Sequence, residues 1–116
     1  MPLFITTGRF TPDAVKGMLE MPEDRAGSVA KLFEQSGGKL LGYYMTFGDH
    51  DFMVISEGPF EAVATSAIVA EASGGVVDMK TELAMTSGDM REAFAKAAPI
   101  AATFRAAGAS QSSASH

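Results

Sequence analysis

The sequence predicts an α+β domain in the order β-α-β-β-α-β-α, with a four-stranded antiparallel sheet whose two long helices cover one face. Three observations predict it. Four β-rich segments, 2–10, 39–47, 52–57 and 76–86, are separated by segments whose apolar residues recur at helical spacing. Glycine and proline pairs punctuate most of the boundaries. The two middle strands are joined by Gly48-Asp49-His50-Asp51, too short for a crossover, so they form a hairpin.

Each element has its own reason. Residues 2–10 are β-rich and short. Thr11-Pro12-Asp13 then opens a helix with a hydroxyl N-cap, proline at the first helical position and an acid in the first turn. Val15, Met18 and Leu19 supply its apolar stripe, and Pro22 interrupts it. Met21-Pro22-Glu23-Asp24 reads as a fresh start, and Ala26, Val29, Ala30 and Phe33 carry the stripe on to Gly37-Gly38. The expectation is one long kinked helix or two collinear ones. Gly58-Pro59 closes the second hairpin strand, and Phe60 to Ala72 forms a helix with Val63, Ala67 and Ala70 on one face. From Val76 to Thr86 the chain alternates, Val77, Met79, Leu83 and Met85 against Asp78, Lys80 and Glu82. Asp89 and Glu92 have capping-box spacing for a last helix, with Met90, Phe94, Ala97 and Ala98 inward and Pro99 as its breaker. Ile100 and Phe104 lie in a final short turn. This order is the split βαβ arrangement of ferredoxin-like domains with one extra C-terminal helix. A single domain is expected over 1–108, and the small polar residues of 109–116 read as a disordered tail.

Composition narrows the function. Nine Lys/Arg stand against fourteen Asp/Glu, a net charge of −5, and no basic cluster exists to bind nucleic-acid phosphates. The absence of cysteine excludes a disulfide scaffold, a thiolate zinc site, an iron–sulfur cluster and a thiol nucleophile. No apolar run approaches the ~18 residues of a membrane span. Met1-Pro2-Leu3-Phe4-Ile5 lacks the basic flank and long apolar stretch of a signal peptide, so the expected compartment is the cytoplasm.

The hairpin carries more apolar surface than one core needs. With Asp49-His50 as a two-residue loop, Phe47 pairs with Phe52, Met45 with Val54 and Tyr43 with Ser56 on one face. Thr46 then pairs with Met53, Tyr44 with Ile55 and Gly42 with Glu57 on the other. Leu41 joins the first face and Leu40 the second. A hairpin wetted on one side alternates apolar with polar, and this one does not. The chain has no spare helices for a second layer, so the expected cover is another copy of itself, in a homodimer or higher oligomer.

Pro22-Glu23-Asp24-Arg25, followed by the run from Gly37-Gly38-Lys39 through Phe47-Gly48-Asp49-His50-Asp51 to Ile55, closely resembles the GYD-domain family. That family comprises small bacterial and archaeal proteins of uncharacterised function. Its signature at the turn reads Gly-x-Tyr-Asp; here Gly48 and Asp51 match and His50 replaces the tyrosine. The resemblance covers residues 2–95. It implies a dimeric α/β barrel, in which two ferredoxin-like sheets pack face to face, and it implies no particular reaction.

The candidate chemistry lies on the hairpin. Asp49-His50-Asp51 reads either as a metal or proton-transfer site or as a turn that uses residues tolerant of positive φ, with Asp51 accepting backbone N–H bonds. Successive residues on a tight turn diverge, so no metal is expected. Tyr43 and Tyr44 point to opposite faces. Tyr44, Thr46 and Glu57 meet above the gap left by Gly42, where a carboxylate beside a phenol has the makings of a general base; these groups serve equally as a polar rim. Arg9 and Arg25 are available to Glu57, Asp51 or an anionic ligand. Two functions stay open. One is a homodimer that binds a small apolar or aromatic molecule between sheet and helices, with Tyr43, Tyr44 and Glu57 as ligand residues. The other is a cofactor-independent enzyme of monooxygenase or isomerase type, using Tyr44, Glu57 or His50. Neither requires a cofactor.

Overall fold

The computed structural model describes residues 2–108. The predicted tail, 109–116, lies outside the described residues. Four strands and four helices follow in the order β1 (Leu3–Phe10), α1 (Pro12–Glu20), α2 (Ala26–Ser36), β2 (Lys39–Met45), β3 (Phe52–Glu57), α3 (Phe60–Ala72), β4 (Val76–Ala84) and α4 (Ser87–Ala101). The strands form one antiparallel sheet in the order β2-β3-β1-β4. With helices in both βαβ connections, this is the ferredoxin-like topology. The chain divides into two compact units, one ending at Ala84 and one beginning at Met85.

β1 alternates strictly. Phe4, Thr6 and Gly8 are buried on the helix side, and Leu3, Ile5 and Thr7 are half-buried on the open side. The Thr11 hydroxyl caps α1 by accepting the Ala14 N–H at 3.2 Å, and it donates to the Gly74 carbonyl at 2.9 Å. α1 and α2 are separate helices. The second starts at Ala26 rather than at Pro22, because the Asp24 carboxylate accepts the Ala26 N–H at 2.9 Å and nucleates the turn there. Gly37, at φ 97°, ends α2 in the left-handed conformation that glycine adopts without a Cβ penalty. Phe33, Phe52 and Val54 form the buried core, with Phe10, Val29, Leu40, Tyr43, Val76 and Met79 packed around it. The Phe10 and Phe52 rings lie 5.1 Å apart and tilted.

The hairpin register differs from the sequence expectation by two residues. Met45 pairs with Phe52, Tyr44 with Met53, Tyr43 with Val54 and Gly42 with Ile55. The loop is longer than two residues: the Thr46 N–H donates to the Asp51 carbonyl at 2.8 Å and the Thr46 hydroxyl donates to the His50 carbonyl at 2.7 Å. Phe47 is thereby expelled from the ladder to full exposure. A shift of two keeps every face assignment up to Gly42. There a bulge at Leu41 reverses the rest, so Leu40 pairs with Ser56 toward the core and Leu41 is exposed. A second bulge opposite Gly8, where Asp78 adopts φ 53°, does the same to β4: Val76 turns inward and Val77 outward.

The C-terminal unit also departs from expectation. Thr86, not Asp89, caps α4, its hydroxyl accepting the Asp89 N–H at 3.1 Å. Pro99 lies inside the helix and does not break it; its missing N–H costs one bond, and the helix ends two residues later. No residue of α4 is buried: Met90 and Phe94 are exposed where an inward stripe was expected, and Ile100, which lies in the helix, and Phe104 are exposed as well.

Candidate functional site

The helix side of the sheet is not fully packed. A cavity of about 90 Å³ lies between β1, β2, β3, β4, α2 and α3, walled by Phe10, Val29, Phe33, Tyr43, Val54, Val63, Ala67 and Met79 among others. Close-packed interiors leave few voids larger than a water molecule. Thr6, Ser66 and Tyr43 bring hydroxyls to this cavity's lining, and those of Thr6 and Ser66 are already satisfied. Thr6 bonds the Thr81 hydroxyl at 2.9 Å, and Ser66 donates to the Val63 carbonyl at 2.9 Å.

The cavity adjoins a groove of about 580 Å³ between α1, α2 and α3. Phe10, Val29, Leu32, Tyr43, Ala70 and Val76 line both spaces. The groove exists because α1 does not pack down. Its helix buries no residue; Val15 and Leu19 are exposed, and only Ala14 and Met18 are half-buried. The expected Val15, Met18, Leu19 core stripe is thus a groove wall instead, contributed by Ala14, Gly17 and Met18. Val63, Ala67 and Ala70 of α3 face the cavity from the side the sequence assigned to them.

Tyr43 stands where the two spaces join. Burial raises its phenol pKa above the ordinary 10.0; the nearby Arg25 guanidinium works against that rise and Asp24 adds to it. Arg25 lines the groove with Glu23 and pairs with it at 2.9 Å, both side chains about half exposed. Among the described residues the Tyr43 hydroxyl makes no hydrogen bond.

The other hairpin candidates do not converge. Tyr44 is exposed on the open face, and its ring folds back over Gly42, where an added Cβ would meet it at 2.9 Å. The gap above that glycine is filled by Tyr44 itself. Tyr44 lies opposite Met53, whereas Glu57 lies opposite Lys39, so four residues of β3, about 13 Å, separate the two positions. Thr46 spends its hydroxyl on the loop. His50 and Glu57 flank opposite ends of β3, so the predicted cluster of Tyr44, Thr46 and Glu57, with His50 as a further candidate, is not assembled. At the turn, Asp51 accepts the Phe10 N–H and Arg9 donates to the Asp49 carbonyl at 3.2 Å. Gly48 meets nothing within 4 Å of a built Cβ. No group of three or more metal-ligating side chains occurs among the described residues. Among the described residues no helix is long and apolar enough to cross a membrane.

Sequence reasoning found Tyr43 but not its surroundings. The sequence places Val29 and Met79 on apolar faces, and both pack against the core; nothing local marks the void they border. The sequence offers Arg25 to Glu57, Asp51 or an anionic ligand; its partner among the described residues is Glu23. A family model described as GYD domain matches residues 4–94. No curated protein matches the chain. Among solved structures, an uncharacterized NIPSNAP-like domain protein from Burkholderia xenovorans is similar over 73% of this chain and 84% of its own, at 13% identity and a TM-score of 0.44.

Proposed function

The chain belongs to the GYD domain family, and we propose that it is a homodimeric α/β barrel that holds a small apolar or aromatic molecule between its sheet and its helices. The observation that carries this reading is the continuity of the inner cavity with the outer groove at Tyr43. A cavity of about 90 Å³ is smaller than the ~150 Å³ apolar void that admits benzene, so a ligand would seat one end there and the rest in the groove. An apolar lining with one polar corner is the usual composition of a small-molecule site. The enzyme alternative, using Tyr44, Glu57 or His50, calls for at least two of them to converge in one pocket, and none of the three lines the cavity or the groove.

The dimer rests on the open face. Leu3, Ile5, Met53 and Ile55 sit side by side on the two central strands, on the face away from α2 and α3. An apolar patch of this kind in the middle of a sheet marks an interface, and a second copy supplies the matching surface.

The test is thermal denaturation with indole or octanol added, for the wild type and for Ala70→Trp, whose indole would occupy the junction. Concentration-dependent stabilisation of the wild type but not of the variant supports the reading. If neither compound shifts the wild type, and native mass spectrometry of protein purified from its host shows no retained mass, the reading fails.

A further inference from the structure

We infer that the ligand is an apolar monocarboxylate, its carboxylate held by Arg25 and the Tyr43 hydroxyl and its apolar end in the inner cavity; this rests on the binding reading above. Two groups of observations separate the ends of such a molecule. Inside, the hydroxyls of Thr6 and Ser66 are committed to the Thr81 hydroxyl and the Val63 carbonyl, so apart from the Tyr43 hydroxyl at the junction no free side-chain hydroxyl borders the cavity. Burying an unmatched polar atom there is unfavourable, and the deep end must be apolar.

At the junction Arg25 and Tyr43 offer spare donors. The Tyr43 hydroxyl makes no hydrogen bond among the described residues. Arg25 uses one amine, Nη1, on Glu23 and keeps the rest of its five-donor fork. Of the acceptors nearby, the Glu23 carboxylate is held through one oxygen by Arg25, and the Asp24 Oδ1 by the Ala26 N–H; Asp24 does not line the groove. Free donors call for an accepting head group, and a planar guanidinium matches a carboxylate bidentately. The Glu23–Arg25 pair is no obstacle. Its side chains are 54% and 51% exposed, and exposed pairs of that kind are weak. A ligand carboxylate held against the half-buried Tyr43 replaces Glu23 in a drier setting, where a charge-assisted bond is stronger.

Calorimetric titration of the full chain with octanoate, octanol and octylamine tests the assignment. Octanoate is expected to bind about tenfold more tightly than octanol, the margin of one charge-assisted hydrogen bond, and octylamine more weakly than either. Arg25→Gln and Tyr43→Phe should each shrink the octanoate-to-octanol ratio toward one, with unchanged circular dichroism. Octanol binding as tightly as octanoate, octylamine binding tightest, or a ratio untouched by Arg25→Gln overturns the carboxylate assignment and leaves the binding reading standing, provided Ala70→Trp still blocks octanol. Failure of all three to bind overturns the binding reading, and the assignment with it.

Discussion

The Asp51 carboxylate accepts the backbone N–H of Phe10 at 2.9 Å. The Asp51 N–H in turn donates to the Gly8 carbonyl at 2.8 Å, so one residue of the hairpin loop is tied to β1 on both sides of Arg9. Asp51→Ala leaves the Phe10 N–H without its charged acceptor and should cost about 1.5–3 kcal/mol. Urea denaturation would measure this as a lower midpoint at constant slope. Asp51→Asn, which keeps an acceptor oxygen, should lose clearly less; equal losses would mean the bond contributes little.

Gly8 is required for space. A Cβ there would sit 2.6 Å from Phe52 Cζ and 3.1 Å from Met79 Cγ. The Phe52 ring is 5% exposed and packed on Phe10, so it has nowhere to swing. Gly8→Ala should destabilise by about 1–3 kcal/mol through overpacking. Combined with Phe52→Leu, the loss should fall short of the two single losses added together, because the smaller side chain makes room.

Ser56 is fully buried between Phe4 and Leu40, and its Oγ has no hydrogen-bond partner among the described residues. Ser56→Ala removes an unsatisfied hydroxyl without changing the packing volume much, and should stabilise by about 1 kcal/mol. Thermal unfolding then shifts upward by about 4–8 °C. A downward shift would show that the hydroxyl has a partner in solution.

Tyr43 makes stability depend on alkaline pH. Its folded pKa is raised above 10.0, chiefly by burial, so between the unfolded and the folded pKa the native state holds the proton that the unfolded state has lost. Its contribution is complete below pH 10 and is lost as pH rises through the folded value. Stability of the wild type should fall across that window more than stability of Tyr43→Phe. Denaturation curves on either side of pH 10 compare the two; parallel losses refute the assignment.

Ile55 pairs with Ile5 at the centre of the open face. If a second copy covers that face, Ile55→Glu should dissociate the dimer or unfold it, and light scattering reads the result. Met53→Asp should do the same from the neighbouring row. A wild type that is monomeric at all concentrations removes the dimer from the proposal.

The sequence alone determined whatever depends on near neighbours. The Thr11 cap, the stop at Gly37 and the break at Pro22 each involve residues within a few positions, so composition and spacing suffice to place them. The element order and the ferredoxin-like topology follow, because the strand and helix periods are local and the connections are short. The α3 face of Val63, Ala67 and Ala70 was readable for the same reason.

Tertiary structure decided what depends on pairing across the chain. The bulges at Leu41 and Asp78 arise against Ser56 and Gly8, and each reverses which of two adjacent apolar residues faces inward. Both members of each pair, Leu40 with Leu41 and Val76 with Val77, are apolar, so hydropathy could not choose between them. The loop bonds of Thr46 set a register two residues from the shortest turn. That register separates Tyr44 from Glu57, while the failure of α1 to pack down leaves the groove that Arg25 and Tyr43 both line. A void is a property of the elements around it, and no stretch of the chain encodes one by itself.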